Sequence, residues 1–151
     1  MSTEPSPLTS HLGFWLRYVS NHVSQAFARK LEDRHVTVAE WALLRELYDA
    51  ETIAPSRLAD RMGLTRGAVT KLADRLIAKA LVVRAANPDD ARAQTLSLTA
   101  AGRDLVPDLS ALADGNDAEF FGHLTADARD RLEATLKDIV ERRGLTAIPL
   151  N

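Results

Sequence analysis

The stretch of this chain that can do chemistry runs from Leu58 to Leu72, Leu-Ala-Asp-Arg-Met-Gly-Leu-Thr-Arg-Gly-Ala-Val-Thr-Lys-Leu. Two short helices joined by a three-residue turn must cross closely, so a small side chain is needed at the crossing. Ala59 provides it, and Gly63, four residues on, supplies the positive φ that such a turn requires. Leu58, Met62 and Leu64 fill the wedge between the helices, while Val69 and Leu72 anchor the second helix from below. The joint spacing predicts a helix-turn-helix. With Val69, Leu72, Ala73 and Leu76 inward, the 3.6-residue period turns Arg66, Gly67, Thr70, Lys71, Asp74 and Arg75 outward. Arg66 and Lys71 can donate to guanine or to phosphate, and Thr65 and Thr70 to either kind of group. Small Gly67 and Ala68 would let the helix sit deep in a groove, and the free N–H groups at its start favour a phosphate. Arg57, Arg61 and Lys79 suit a solvated surface as well as a polyanion; Arg57 is kept with Thr65, Arg66, Gly67, Ala68, Thr70, Lys71 and Arg75 as a candidate DNA contact.

The elements that must hold this helix are legible on either side. Ser6-Pro7 reads as a helix start, with Leu12, Leu16, Val19, Val23, Phe27 and Leu31 forming one apolar stripe over roughly 24 residues. Thr37 and Glu40 form a capping box for a second helix carrying Trp41, Leu44, Leu47 and Tyr48 inward and fading near Ala50. Pro55 opens a third helix that stops at Gly63, and Thr65 caps the fourth, which runs to about Ala80. Leu81-Val82-Val83 changes to strand periodicity, Asn87-Pro88-Asp89-Asp90 is a turn, and Thr95-Leu96-Ser97-Leu98 alternates as the returning strand. The hairpin tip carries Arg92, whose guanidinium fits a narrow minor groove. Thr99 caps a long helix to about Phe121 with Pro107 as a kink, and Thr125 caps a last one to Arg143, ended by Gly144. The fold expected is mainly α, with one two-stranded sheet.

Charge points to the same segment. The chain has 151 residues, a size for one domain, and a net charge of −2. Residues 55–94 nonetheless hold eight basic against four acidic side chains, a basic island between acidic flanks, and a polyanion responds to the local face. The absence of cysteine removes disulfides, thiolate metal sites and thiol redox switches. His11 and His22 share a helix face but lie about 16 Å apart along it, too far for one ion. No Walker loop, nucleophile elbow, His-Glu-x-x-His or dinucleotide fingerprint is present, so no enzyme is expected. No apolar run spans a bilayer and no basic-then-apolar leader opens the chain; the expected location is the cytoplasm. The rival reading is a winged-helix interaction module that binds another protein and never touches DNA, for which Arg66, Lys71 and Arg92 would be superfluous.

Helix, helix, helix-turn-helix, hairpin and two long helices is the layout of the MarR family of dimeric winged-helix regulators, which the chain resembles over roughly residues 8–143. Asp90-Ala91-Arg92 running into Leu98-Thr99-Ala100-Ala101-Gly102 is similar to the family's wing signature. Leu58-Ala59 and Val69-Thr70-Lys71-Leu72 also fit its pattern. The resemblance implies a winged helix-turn-helix lobe at 37–99 within a single 1–151 domain, and a dimerisation region from 8–36 and 100–143. It makes Arg92 the minor-groove residue and Asp90 a residue that orients the wing. One departure is Ala80, where the family usually has Gly. A first helix of that length cannot bury its stripe on a small winged helix alone; it needs the last two helices or a second copy. The resemblance implies a homodimer reading a pseudo-palindrome in double-stranded DNA, with half-sites ~10 bp apart, as a repressor relieved by a small ligand. No cofactor is expected beyond such an effector, of small aromatic or phenolic type, for which His11, Trp15 and Trp41 are the candidate residues.

Overall fold

The computed structural model describes residues 3–150 apart from Pro88, and the side chains of these apart from Ala91 and Arg92. The helices are α1 (Leu12–Glu32), α2 (Val38–Tyr48), α3 (Pro55–Met62) and α4 (Arg66–Ala78), then, after the sheet, α5 (Ala100–Phe121) and α6 (Ala126–Arg143). Strands β1 (Val82–Asn87) and β2 (Asp90–Leu98) lie between α4 and α5.

Local chemistry fixes most of these boundaries. The Thr37 hydroxyl accepts from the Glu40 N–H at 3.1 Å while the Glu40 carboxylate accepts from the Thr37 N–H at 3.0 Å, the reciprocal pair expected at the start of α2. Thr65, Thr99 and Thr125 cap α4, α5 and α6, accepting from the N–H groups of Ala68, Gly102 and Ala128. Gly63 (φ 64°) and Gly144 (φ 61°) end α3 and α6 in the left-handed region. Pro107 sits inside α5.

The first helix starts later than its sequence indicates. Pro7 precedes a 3₁₀ turn, Leu8–Ser10, and the backbone is extended at His11 before α1 begins, so the helix has 21 residues and Ser6 does not cap it. The turn satisfies itself: the Ser10 hydroxyl donates to the Pro7 carbonyl at 2.8 Å, and Trp15 Nε1 donates to the Thr9 carbonyl at 2.9 Å. These bonds fold the segment back over the first turn of α1 and stop it from continuing the helix. At their other ends α2 stops at Tyr48 and α4 at Ala78, each about two residues short of the expectation.

The hairpin is longer than its apolar residues suggested. It pairs antiparallel from Val82↔Leu98 to Ala86↔Gln94, with an irregularity before Asn87↔Asp90. Ile53 adds a one-residue bridge, exchanging two backbone hydrogen bonds with Leu96 at 2.8 and 3.0 Å. The core is built from Leu43, Leu44 and Leu47 of α2, Leu58 and Met62 of α3, and Val69, Leu72, Ala73 and Leu76 of α4. Val82 and Leu96 of the sheet and Val106 and Leu109 of α5 close it. In α2 the deep position falls to Leu43, while Trp41 and Tyr48 are only partly buried.

The long helices are the exception. α1 buries only Leu31, and α6 buries no side chain at all. Leu12 is 80% exposed, and Leu16, Val19, Leu132, Leu136, Ile139 and Val140 are also open to solvent. Beyond α6 the chain returns to the helix-turn-helix, where the Ile148 N–H donates to the Met62 carbonyl at 3.4 Å and Leu150 packs on the core.

Candidate nucleic-acid interface

The second helix of the motif, α4, is held from both ends and from beneath. At its start, buried Ala59 allows the α3–α4 crossing, and the Leu64 N–H donates to the Ala59 carbonyl at 2.9 Å, closing the turn at Gly63. Beneath it, Val69, Leu72, Ala73 and Leu76 are buried, as the periodicity required. The opposite face therefore carries Arg66, Gly67, Thr70, Lys71 and Arg75, all exposed. Arg57 is exposed on α3, while Ala68 is partly buried. Among the described residues Arg57, Arg61, Arg66, Lys71 and Arg75 make no ion pair, leaving their charges to solvent or to a polyanion.

The threonines have local roles as well. Thr65 uses an oxygen lone pair for the cap, which leaves its hydroxyl hydrogen able to donate outward. Thr70 donates to the Arg66 carbonyl at 2.9 Å, so in this conformation it can only accept from a groove.

Two charges of the basic island are already neutralised within the protein. Arg84 on β1 donates to Asp74 on α4 at 2.8 Å, which ties the wing to the recognition helix. Lys79, just past α4, donates to both oxygens of Glu40 at 2.8 and 3.0 Å and to the His35 carbonyl at 2.6 Å. Glu40 is 1% exposed. Burial pushes its carboxyl up, but the hydrogen bond from Lys79, those from the Thr37 backbone and hydroxyl, and the ammonium charge together hold it below the ordinary range. No sequence spacing signals these pairs, whose members lie 10 and 39 positions apart.

The wing is seated by the Leu-Thr-x-x-Gly stretch. Thr99 donates through its hydroxyl to the Ala80 carbonyl at 2.7 Å and through its N–H to the Leu81 carbonyl at 3.0 Å, while capping α5. A Cβ at Gly102 would collide with the Leu81 carbonyl oxygen, so glycine is required where α5 passes the start of the sheet. Ala80 adopts φ 59°, the left-handed conformation that explains why glycine suits this junction. Asp90 opens β2 opposite Asn87, at the base of the turn it was expected to orient. Arg92 lies in β2, and its side chain falls outside the described residues.

The three candidate effector residues do not come together in the protomer. Trp15 lines a groove of about 620 Å³ between α1, α5 and α6, with Leu16, Phe120, Phe121 and Leu136. Trp41 packs edge-on against Phe27, ring centroids 6.5 Å apart, and His11 is exposed before α1. The separation follows from the helix rise: Trp15 and Phe27 are twelve residues apart on α1, about 18 Å along its axis. Sequence inspection missed a smaller cavity of about 200 Å³ walled by Val23, Phe27, Val38 and Asn116. Asn116 there is buried, donating to the Val23 carbonyl at 3.1 Å and accepting from Lys30 at 2.9 Å. Among the described residues no cluster of His, Asp or Glu could hold a metal ion.

Comparison with known proteins agrees with this geometry. Residues 36–93, from just before α2 into the first part of β2, match the family model described as MarR family. The multiple antibiotic resistance protein MarR of Escherichia coli (strain K12) is 30% identical over 131 residues, covering 85% of this chain and 90% of that protein. A crystal structure of a MarR variant from E. coli complexed with operator DNA superposes with a TM-score of 0.77 at 28% identity, over 85% of this chain and 93% of that one. CouR from Rhodococcus jostii RHA1, bound to p-coumaroyl-CoA, superposes with a TM-score of 0.77 at 26% identity, over 89% and 95% of the two chains. Identity at that level over nine-tenths of a whole relative, carried on the same winged helix, makes this chain a member of the MarR family of transcriptional regulators.

Proposed function

We propose that this protein is a homodimeric regulator that binds a pseudo-palindromic site in double-stranded DNA and releases it when a small ligand binds. The observation that carries the reading is the outward face of α4. Arg66, Lys71 and Arg75 are exposed there, without ion pairs among the described residues, on a helix fixed at both ends and flanked by a tethered wing. A rigid basic helix of this kind enters a major groove with its N-terminal residues at the base edges. On this reading Arg66, Thr65, Gly67, Ala68 and Thr70 are the base-proximal set, Arg57 and Arg75 would meet phosphates, and Lys71 would meet either a base edge or a phosphate. Arg92 would enter the adjacent minor groove from β2, just past the turn of the wing, with Asp90 setting the wing's orientation.

The dimer reading rests on α1 and α6. A helix in a protein draws most of its stability from packing its apolar face, and α6, none of whose side chains is fully buried in its own chain, calls for an external partner. Covering Leu12, Leu16, Val19, Leu132, Leu136 and Ile139 would contribute on the order of 1 kcal/mol each. A second copy supplies the matching surface and sets two recognition helices side by side. Operator binding by the MarR variant supports the DNA reading, and the CoA thioester bound by CouR supports a ligand-responsive one. Regulation as a repressor, a cytoplasmic location and the absence of enzymatic activity follow from the same reading.

The test is binding by alanine variants to a fragment that the wild type holds. Arg92→Ala is expected to weaken binding across sequences, since wing contacts read shape. Lys71→Ala is expected to cost affinity, and altered preference among half-site bases would assign it a base contact. Unchanged binding by both variants would overturn the proposed docking.

A further inference from the structure

Lys71, Arg75 and Lys79 follow one another at i, i+4 and i+8, so spacing alone would extend the basic strip of α4 to its C-terminal end. The structure takes Lys79 off that strip. Its ammonium has three protein acceptors, both Glu40 oxygens and the His35 carbonyl, which matches its three hydrogens. We propose that Lys79 is a positioning residue for DNA binding, which sets the angle and depth of α4 through buried Glu40 and touches no phosphate. This inference rests on the DNA-binding reading above.

Three features support the role. The apolar contacts of Val69, Leu72, Ala73 and Leu76 hold α4 down but are non-directional, so they tolerate small rotations and slides of the helix. An ammonium saturated by oxygens from two other segments tolerates neither. Each charge also suits the helix end it occupies, a carboxylate in the first turn of α2 and a cation at the C-terminal end of α4. The third acceptor belongs to His35, held at φ 58° in the turn that ends α1. Lys79 therefore links the recognition helix to the end of α1, the helix that carries the exposed Leu12, Leu16 and Val19. The start of α4 is already fixed by the Gly63 turn and the Thr65 cap, and Lys79 fixes the other end.

The experiment compares Lys79→Met, Glu40→Gln, the double variant and Lys79→Arg with the wild type on the wild type's own operator fragment, across a salt series. Lys79→Met and Glu40→Gln should each weaken binding roughly tenfold, with the double variant no worse than the weaker single. The slope of log K against log salt should stay that of the wild type, and Lys79→Arg should restore affinity to within about threefold. Should either single variant fail to fold by circular dichroism, the double variant carries the test, because it strands no charge in the interior. A slope shallower by about 0.9 in Lys79→Met, with Glu40→Gln binding as the wild type does, would overturn the proposal in favour of a phosphate contact. Variants that all match a DNA-binding wild type would overturn it too. A wild type that retains no DNA at all would instead overturn the DNA-binding reading.

Discussion

Single residues carry constraints whose consequences can be measured one at a time. Gly102 faces the Leu81 carbonyl, so Gly102→Ala must push α5 off the sheet, and thermal unfolding should register a loss of about 2–3 kcal/mol. Ala80 is the reverse case. At φ 59° a Cβ is strained, and glycine removes that strain at some entropic cost, so Ala80→Gly should raise stability by about 0.5–1 kcal/mol. Both are checked by denaturant melts at constant m-value. Glu40 gives a pH signature. Its pKa is lower folded than unfolded, so its contribution is present above the unfolded value and lost as pH falls through the folded one. Melting temperatures of the wild type should therefore fall toward, or further below, those of the Glu40→Gln/Lys79→Met variant as pH drops below about 4. A difference that stays constant from pH 7 to pH 3 would contradict the assignment. Gly102 and Ala80 stand out in sequence only through their resemblance to a signature; the Glu40 partner does not stand out at all, because a pair spanning 39 positions depends on how α2 and α4 pack.

Elements with local causes were legible, and those with distant causes were not. The four threonine caps, Pro55 at the first turn of α3 and the glycines at 63 and 144 each act within a few residues of themselves, so the starts of α2 to α6 and the ends of α3 and α6 follow directly from sequence. The start of α1 did not, because Trp15 reaches back to Thr9 and diverts the chain into a 3₁₀ turn. The wing strands ran long for a related reason. Ala85, Ala86 and Ala93 have little intrinsic preference for strand, and pairing along the hairpin together with the Ile53 bridge extends them. At this scale the Asp74–Arg84 pair is the tie between reader and wing. Arg84→Ala should leave the melting temperature within a few degrees of the wild type yet weaken operator binding several-fold, since an exposed pair adds little stability while orienting the tip. Equal affinity for the variant in a gel-shift titration would show that the wing holds its angle without the tie.

At the scale of the whole molecule the basic helix and the uncovered helices belong to one account. A single +4 segment, two of whose cations are spent internally, is a weak polyanion ligand at physiological salt; two copies held rigidly are not. Leu136→Glu places a charge in the apolar face of α6 without touching the winged helix. Light scattering should then report the mass of one chain where the wild type gives two, and operator affinity should fall by more than tenfold. Part of this was readable from sequence, since a stripe from Leu12 to Leu31 is too long for a small lobe to bury. That α6 buries nothing in its own chain was not readable, because its pattern alone does not say which neighbour covers it. The central claim is sequence-specific binding by a symmetric dimer, and the most direct measurement is retention of genomic fragments, with sequencing of those retained, at two salt concentrations. The account predicts one recurrent pseudo-palindromic motif with half-sites ~10 bp apart, retained less as salt rises. Retention without any shared motif, or of no fragment at either salt, would contradict it.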